Sequence, residues 1–151
     1  MRVVIQRVKH ASVSVRDAGY EASIAAGLLV LVAFTDGDGI ADLEWMTRKI
    51  VSLRVFDDDN GVMNLPVTDT GGDIMAISQF TLYASTARGN RPSYIRAARP
   101  ETASPMYDEF CRMLGERLSR PVVKGIFGAD MQVSLQNDGP VTIIIDSKIK
   151  E

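Results

Sequence analysis

Three short segments of this 151-residue chain place polar or aromatic groups where chemistry can be done. Ser78-Gln79-Phe80-Thr81-Leu82 closes an apolar stretch, predicted as a strand over 73–83, with two hydroxyls and a carboxamide. A strand end of this kind can present a site; the same residues also fit a strand edge with ordinary alternation. Asn137-Asp138-Gly139-Pro140 reads as a tight turn before a final strand. Phe127-Gly128-Ala129-Asp130-Met131 sets a ring and a thioether beside a glycine turn. That pair suits the stacking of a base or the filling of a core.

The residues that are scarce exclude more. His10 is the sole histidine and sits beside Lys9 in a predicted strand, so no Ser-His-Asp or Cys-His site is expected. Cys111 falls on the apolar side of a predicted helix and reads as core. One His and one Cys cannot build a zinc site without carboxylates. Asp57-Asp58-Asp59-Asn60-Gly61 looks like a calcium loop, but its glycine comes one residue early and position twelve is Thr68. It reads as a solvated turn. Ser147 and Lys150 match Ser-x-x-Lys without partner motifs, a chance match. No dinucleotide fingerprint and no phosphate loop occurs. No metal and no cofactor is expected.

The elements that must position these segments follow from periodicity. The β-branched stretch 3–15 predicts two strands or one bent strand, and a turn at Asp17-Ala18-Gly19 leads back into a short strand. The run 27–34 is continuously apolar, a strand buried on both faces. Ile40, Leu43, Met46, Ile50 and Leu53 recur at helical spacing. Arg54-Val55-Phe56 resumes a strand, and 86–92 is a basic loop with Gly and Pro. A second helix is predicted with Ser104 as cap and Pro105 in its first position, lined by Met106, Phe110, Leu114 and Leu118. Strands return after Pro121 and run to 145. Many strands, two main helices and no βαβ rhythm predict an α+β fold with antiparallel, barrel-like sheets in a single domain over 1–151.

With 46% apolar and 24% charged residues, the composition is that of a globular domain. The net charge of −2 disfavours a protein that grips duplex DNA through phosphates, so any RNA contact has to be local. No signal peptide and no membrane-length apolar run is present, and one cysteine allows no intrachain disulfide. A cytoplasmic protein with no membrane contact is expected.

Taken together, the first two segments resemble the D-aminoacyl-tRNA deacylase family, Ser78 to Leu82 as its first motif and Asn137 to Thr142 as its second. The likeness extends over nearly the whole chain, through Met1-Arg2-Val3-Val4, Gln6-Arg7-Val8, Gly27 to Val32, Met63-Asn64, Gly89-Asn90-Arg91-Pro92-Ser93 and Phe127 to Met131. Ala33 and Ala84 depart from expected glycines, away from any expected site residue.

The resemblance implies a homodimer acting on the 3′ end of aminoacyl-tRNA in translation quality control. Ser78, Gln79, Phe80 and Thr81 then line the catalytic pocket. A cis Gly139-Pro140 segment, supported by Arg7, reaches into the pocket of the other subunit and rejects L-residues. Phe127 and Met131 are the candidates for holding the terminal adenosine. Thr81 is placed as a nucleophile, but no histidine or lysine base stands near it in the motif. The expected chemistry is therefore oxyanion stabilisation by backbone N–H groups with help from the substrate 2′-hydroxyl. Two other readings are a related deacylase that edits small L-residues and a non-catalytic module that holds charged tRNA ends. The motifs disfavour both.

Overall fold

Fourteen residues rich in Val and Ile form β1, Arg2–Val15, the strand around which the molecule is built. The structure, a computed structural model, describes residues 1–150. One edge of β1 is shared by two antiparallel strands. β3 (Gly27–Ala33) pairs with its first half and β2 (Tyr20–Ile24) with its second. The other edge is taken along its whole length by β8, Gln132–Asp146. The register of β1 with β8 shifts twice: the four residues 138–141 stand opposite the single residue Arg7, and Lys9 then stands as an extra residue on β1 between the Val8–Asn137 and His10–Gln136 pairs. The expected turn at 137–140 is therefore a bulge within one long strand.

Beyond β3 the sheet continues through β6 (Asp73–Ser78) and β7 (Val123–Lys124), giving the order β2-β1-β3-β6-β7. Both of these pairings are parallel. The α+β class, the barrel-like sheet and the single domain hold, but the sheet is mixed where antiparallel sheets were expected. Two crossovers account for this. The first carries α1 (Ile40–Ser52), a small hairpin of β4 (Phe56–Asp57) and β5 (Met63–Leu65), and the short α2 (Val67–Thr70). The second carries α3, Pro100–Leu118. Parallel neighbours need such crossovers, and both faces of β3 and β6 are covered as a result.

The residues of β3 and β6 divide between two cores. Leu28, Val30, Val32, Ile74 and Ala76 face α1 and α3, with Met46, Ile50, Phe110 and Leu114. Leu29, Met75 and Ile77 point into the barrel-like side, with Val8, Val13, Met131 and Val133. The third helix starts earlier than expected. Pro100 occupies its first position and Pro105 lies inside it. Of two proline start signals the earlier wins, because that start brings Ala103 into the core.

Candidate active site

Ser78 ends β6 in parallel register with Val32, and the Gln79 N–H donates to the Val32 carbonyl at 2.7 Å. There the expected strand over 73–83 stops. Phe80–Tyr83 forms a 3₁₀ turn, closed by the Leu82 N–H on the Gln79 carbonyl at 3.1 Å. The N–H groups of Phe80 and Thr81 open the turn and have no acceptor within it. None of the loop and turn bonds among the described residues uses them.

Above this turn lies a cavity of about 570 Å³, within the common range for small-molecule sites. It sits at the carboxyl ends of two parallel strands, where open α/β sheets bind ligands. Val32 to Phe34 and Ile77 to Phe80 form its floor. Tyr94, the segment 97–100 and Ala103 form one wall, and Phe127, Gly128, Ala129, Met131 and Val133 form the other. The Phe127 ring lies 6.0 Å from that of Tyr107, whose hydroxyl donates to the Ala76 carbonyl at 2.8 Å. A methyl group on Gly125 would collide with the Met131 sulfur, so Met131 is packed tightly against that backbone.

The cavity is lined by a hydroxyl, a carboxamide, aromatic rings and backbone; its one charged residue is Arg99. No carboxylate, histidine or lysine lines it among the described residues. His10 is exposed on β1, opposite Gln136. Cys111 is buried, and burial pushes its thiol up to about 12, so it stays protonated at neutral pH. No group of three or more His, Cys, Asp or Glu able to hold a metal ion occurs among the described residues.

Five of the expected site residues thus meet in one place: Ser78, Gln79, Phe80, Phe127 and Met131. Thr81 lies just beyond the lining, its Oγ1 accepting from the Gln79 carboxamide at 2.6 Å. Ala33 was expected to lie away from the site, but it lines the cavity and sets a methyl group in the floor. Gly139 and Pro140 do not line the cavity of their own chain. They stand exposed on the bulge of β8; the bond between them is cis and Gly139 has φ +119°.

Arg7 holds that bulge from below. Its Nε donates to the Asp138 carbonyl at 3.0 Å and its NH1 to the Val55 carbonyl at 2.7 Å. Only 7% of Arg7 is exposed, and the Asp57 and Asp138 carboxylates, at 3.4 and 3.5 Å, balance its charge. Asp57, read as part of a solvated turn, thus has a partner. Sequence reasoning also missed Arg2. It donates to the Leu82 carbonyl at 2.9 Å and to Asp146 at 3.0 Å, and so clamps the 3₁₀ turn. The signal for both clamps is an arginine inside a β-branched strand, since a charge buried there needs partners. Tyr94 and Arg99 had no such signal.

The fold and the cavity define a class of small α+β enzyme whose site sits at strand ends and is built from a turn. The sequence pattern of the D-Tyr-tRNA(Tyr) deacylase family matches residues 4–146. A D-aminoacyl-tRNA deacylase of Parabacteroides distasonis is 57% identical and one of Dechloromonas aromatica 56%, each over 100% of both chains. The solved structure titled "c-Myc DNA Unwinding Element Binding Protein" is 40% identical, with TM-score 0.88 over 97% of this chain and 98% of that one. Another, titled a probable eukaryotic D-amino acid tRNA deacylase, shares the fold at TM-score 0.82 and 17% identity, covering 95% and 97%. The chain belongs to the D-Tyr-tRNA(Tyr) deacylase family. It is a hydrolase of the D-aminoacyl-tRNA deacylase class.

Proposed function

We propose that the chain hydrolyses the ester joining a D-amino acid to the 3′-terminal ribose of tRNA, in the cytoplasm, and does so without a side-chain base. The observation that carries this reading is the lining of the cavity: a hydroxyl, a carboxamide and rings, but no carboxylate, histidine or lysine among the described residues. An aminoacyl ester is already activated, and the neighbouring 2′-hydroxyl can orient or activate water. The N–H groups of Phe80 and Thr81 are the candidates for receiving the oxyanion; one such donor is worth about 3 kcal/mol. Phe127 and Met131 would hold the adenosine.

Selection against L-residues falls to Gly139 and Pro140. Being exposed and absent from the cavity of their own chain, they act only if a second copy brings them there, so the active form is a homodimer. The Arg7 clamp fixes the backbone that would do the excluding. A clash near the α-carbon rejects an L side chain whatever its identity and leaves D side chains free. Glycine, with no side chain to exclude, should be hydrolysed too.

The mechanism is tested by Thr81→Ala and by a substrate whose terminal 2′-hydroxyl is replaced by hydrogen. The Thr81 variant should keep measurable single-turnover hydrolysis of D-Tyr-tRNA, and the deoxy substrate should lose far more. A drop of about 10⁴-fold or more on Thr81→Ala, the scale of removing a nucleophile, would overturn it.

A further inference from the structure

Between Asp73 and Glu101 the chain has no acidic residue, yet it carries Arg88, Arg91, Arg96 and Arg99. The whole chain is net −2, so this is a sharp local excess of positive charge. All four arginines are exposed, and none enters an ion pair among the described residues. Arg2, Arg7, Arg112, Arg120, Lys124 and Lys148 pair with carboxylates, and other cations without an ion pair, such as Arg16, Arg48 and Arg54, lie in stretches that carry acidic residues.

The segment is held in place beside the cavity. Ser85 and Ser93 exchange backbone hydrogen bonds of 2.8 and 2.9 Å, which close the loop carrying Arg88 and Arg91. The Thr35 hydroxyl donates to the Arg96 carbonyl at 2.5 Å, and the Ala98 N–H to the Phe34 carbonyl at 2.9 Å. These bonds fix the stretch that becomes the cavity wall. At the rim the Tyr94 and Phe80 rings meet edge to face, 5.1 Å apart, and both are exposed, at 39% and 56%. Exposed rings beside a track of unpaired cations are the two parts of a single-stranded nucleic-acid groove. Arginine also bonds phosphate through two N–H groups at once.

We propose that the loop over 85–99 is a docking surface for the single-stranded 3′ end of RNA. Arg88, Arg91, Arg96 and Arg99 hold phosphates along the strand. Tyr94, against Phe80, stacks the base that precedes the terminal nucleotide. The proposal rests on the reading of the cavity above only for which end of the strand enters it.

The test uses the full chain and a 5′-fluorescein single-stranded RNA oligonucleotide ending in CCA, with binding followed by anisotropy from about 50 to about 200 mM KCl. The wild-type affinity should fall with salt. Arg88→Gln and Arg91→Gln should each reduce the log–log slope by about 0.7, the single-strand value per phosphate contact. Tyr94→Leu should weaken binding about 10-fold at unchanged slope, and Tyr94→Phe should restore it. Arg112→Gln, which removes a paired arginine, should leave the slope alone. Unchanged slopes in the Arg88 and Arg91 variants, or displacement of the RNA by polyglutamate as readily as by RNA, would overturn the surface. D-Tyr-tRNA hydrolysis is measured on the same samples. Unchanged slopes in an active enzyme reject the surface alone. Changed slopes in a protein without that activity support the surface and reject the reading of the cavity.

Discussion

The Thr81 hydroxyl accepts from the Gln79 carboxamide, which is no base at neutral pH, and no side-chain base bonds that oxygen among the described residues. Gly139 has the opposite standing: it carries no functional group, yet its backbone cannot be copied by another residue. Its φ of +119° lies where L side chains rarely go, and a Cβ there would come within 3.0 Å of the Arg7 guanidinium and the Val141 side chain. Gly139→Ala should therefore displace the Arg7 clamp and lower D-Tyr-tRNA hydrolysis by about 100-fold, the scale of a misplaced group at an active site. Wild-type rates for this variant would show that the segment has no part in the reaction. Cys111 should be silent. Burial holds its thiol near 12, so iodoacetamide at neutral pH should modify it only on unfolding. Rapid labelling of the native protein would contradict that.

At the scale of elements, the start of the β3–β6 pairing depends on Gly27. A methyl group there would overlap the Asp73 backbone carbonyl, and backbone on either side cannot yield. Gly27→Ala should cost about 3 kcal/mol, read as a lower urea midpoint; an unchanged midpoint would contradict the pairing. The start of α1 has its own signature. Burial works to raise the Asp42 carboxyl, but hydrogen bonds from Lys148, Ser147 and the Gly39 N–H outweigh it and bring it from 3.8 to about 2. A depressed folded-state pKa stabilises fully above about pH 4 and loses that effect as the pH falls toward 2. The stability gap between wild type and Asp42→Asn should close over that interval; a constant gap would refute it. The two long helices, the doubly buried β3 and the first motif were legible in the sequence, because each is carried by local periodicity or composition. The parallel pairing was not, since β7 is two residues long and 20 residues of hairpin and short helix intervene between α1 and β6. The start of α3 was misplaced because two prolines give the same local signal and tertiary burial chooses between them. The wall at 94–100 was illegible, because its place comes from bonds to Thr35 and Phe34, far away in the sequence.

In the whole molecule, the cavity and the bulge proposed to act on it lie apart: Gly139 and Pro140 do not line the cavity of their own chain. On β8, Ile144 is 69% exposed and paired with Val4, and Pro140 on the bulge is exposed as well. If the bulge enters a second copy, Ile144 on the same strand is the apolar side chain available to that contact. Light scattering at micromolar concentration should give twice the 16.5 kDa protomer mass, and Ile144→Lys should shift the protein toward monomer and lower its activity together. A fully active monomer would remove the second copy from the mechanism. Chiral selection by exclusion is read from single-turnover deacylation of D-Tyr-tRNA, L-Tyr-tRNA and Gly-tRNA by the same enzyme sample. D-Tyr-tRNA and Gly-tRNA should both be hydrolysed, with L-Tyr-tRNA slower by about 100-fold or more, the scale of a strong pocket discrimination. Hydrolysis of L-Tyr-tRNA as fast as D-Tyr-tRNA would rule out exclusion by Gly139 and Pro140.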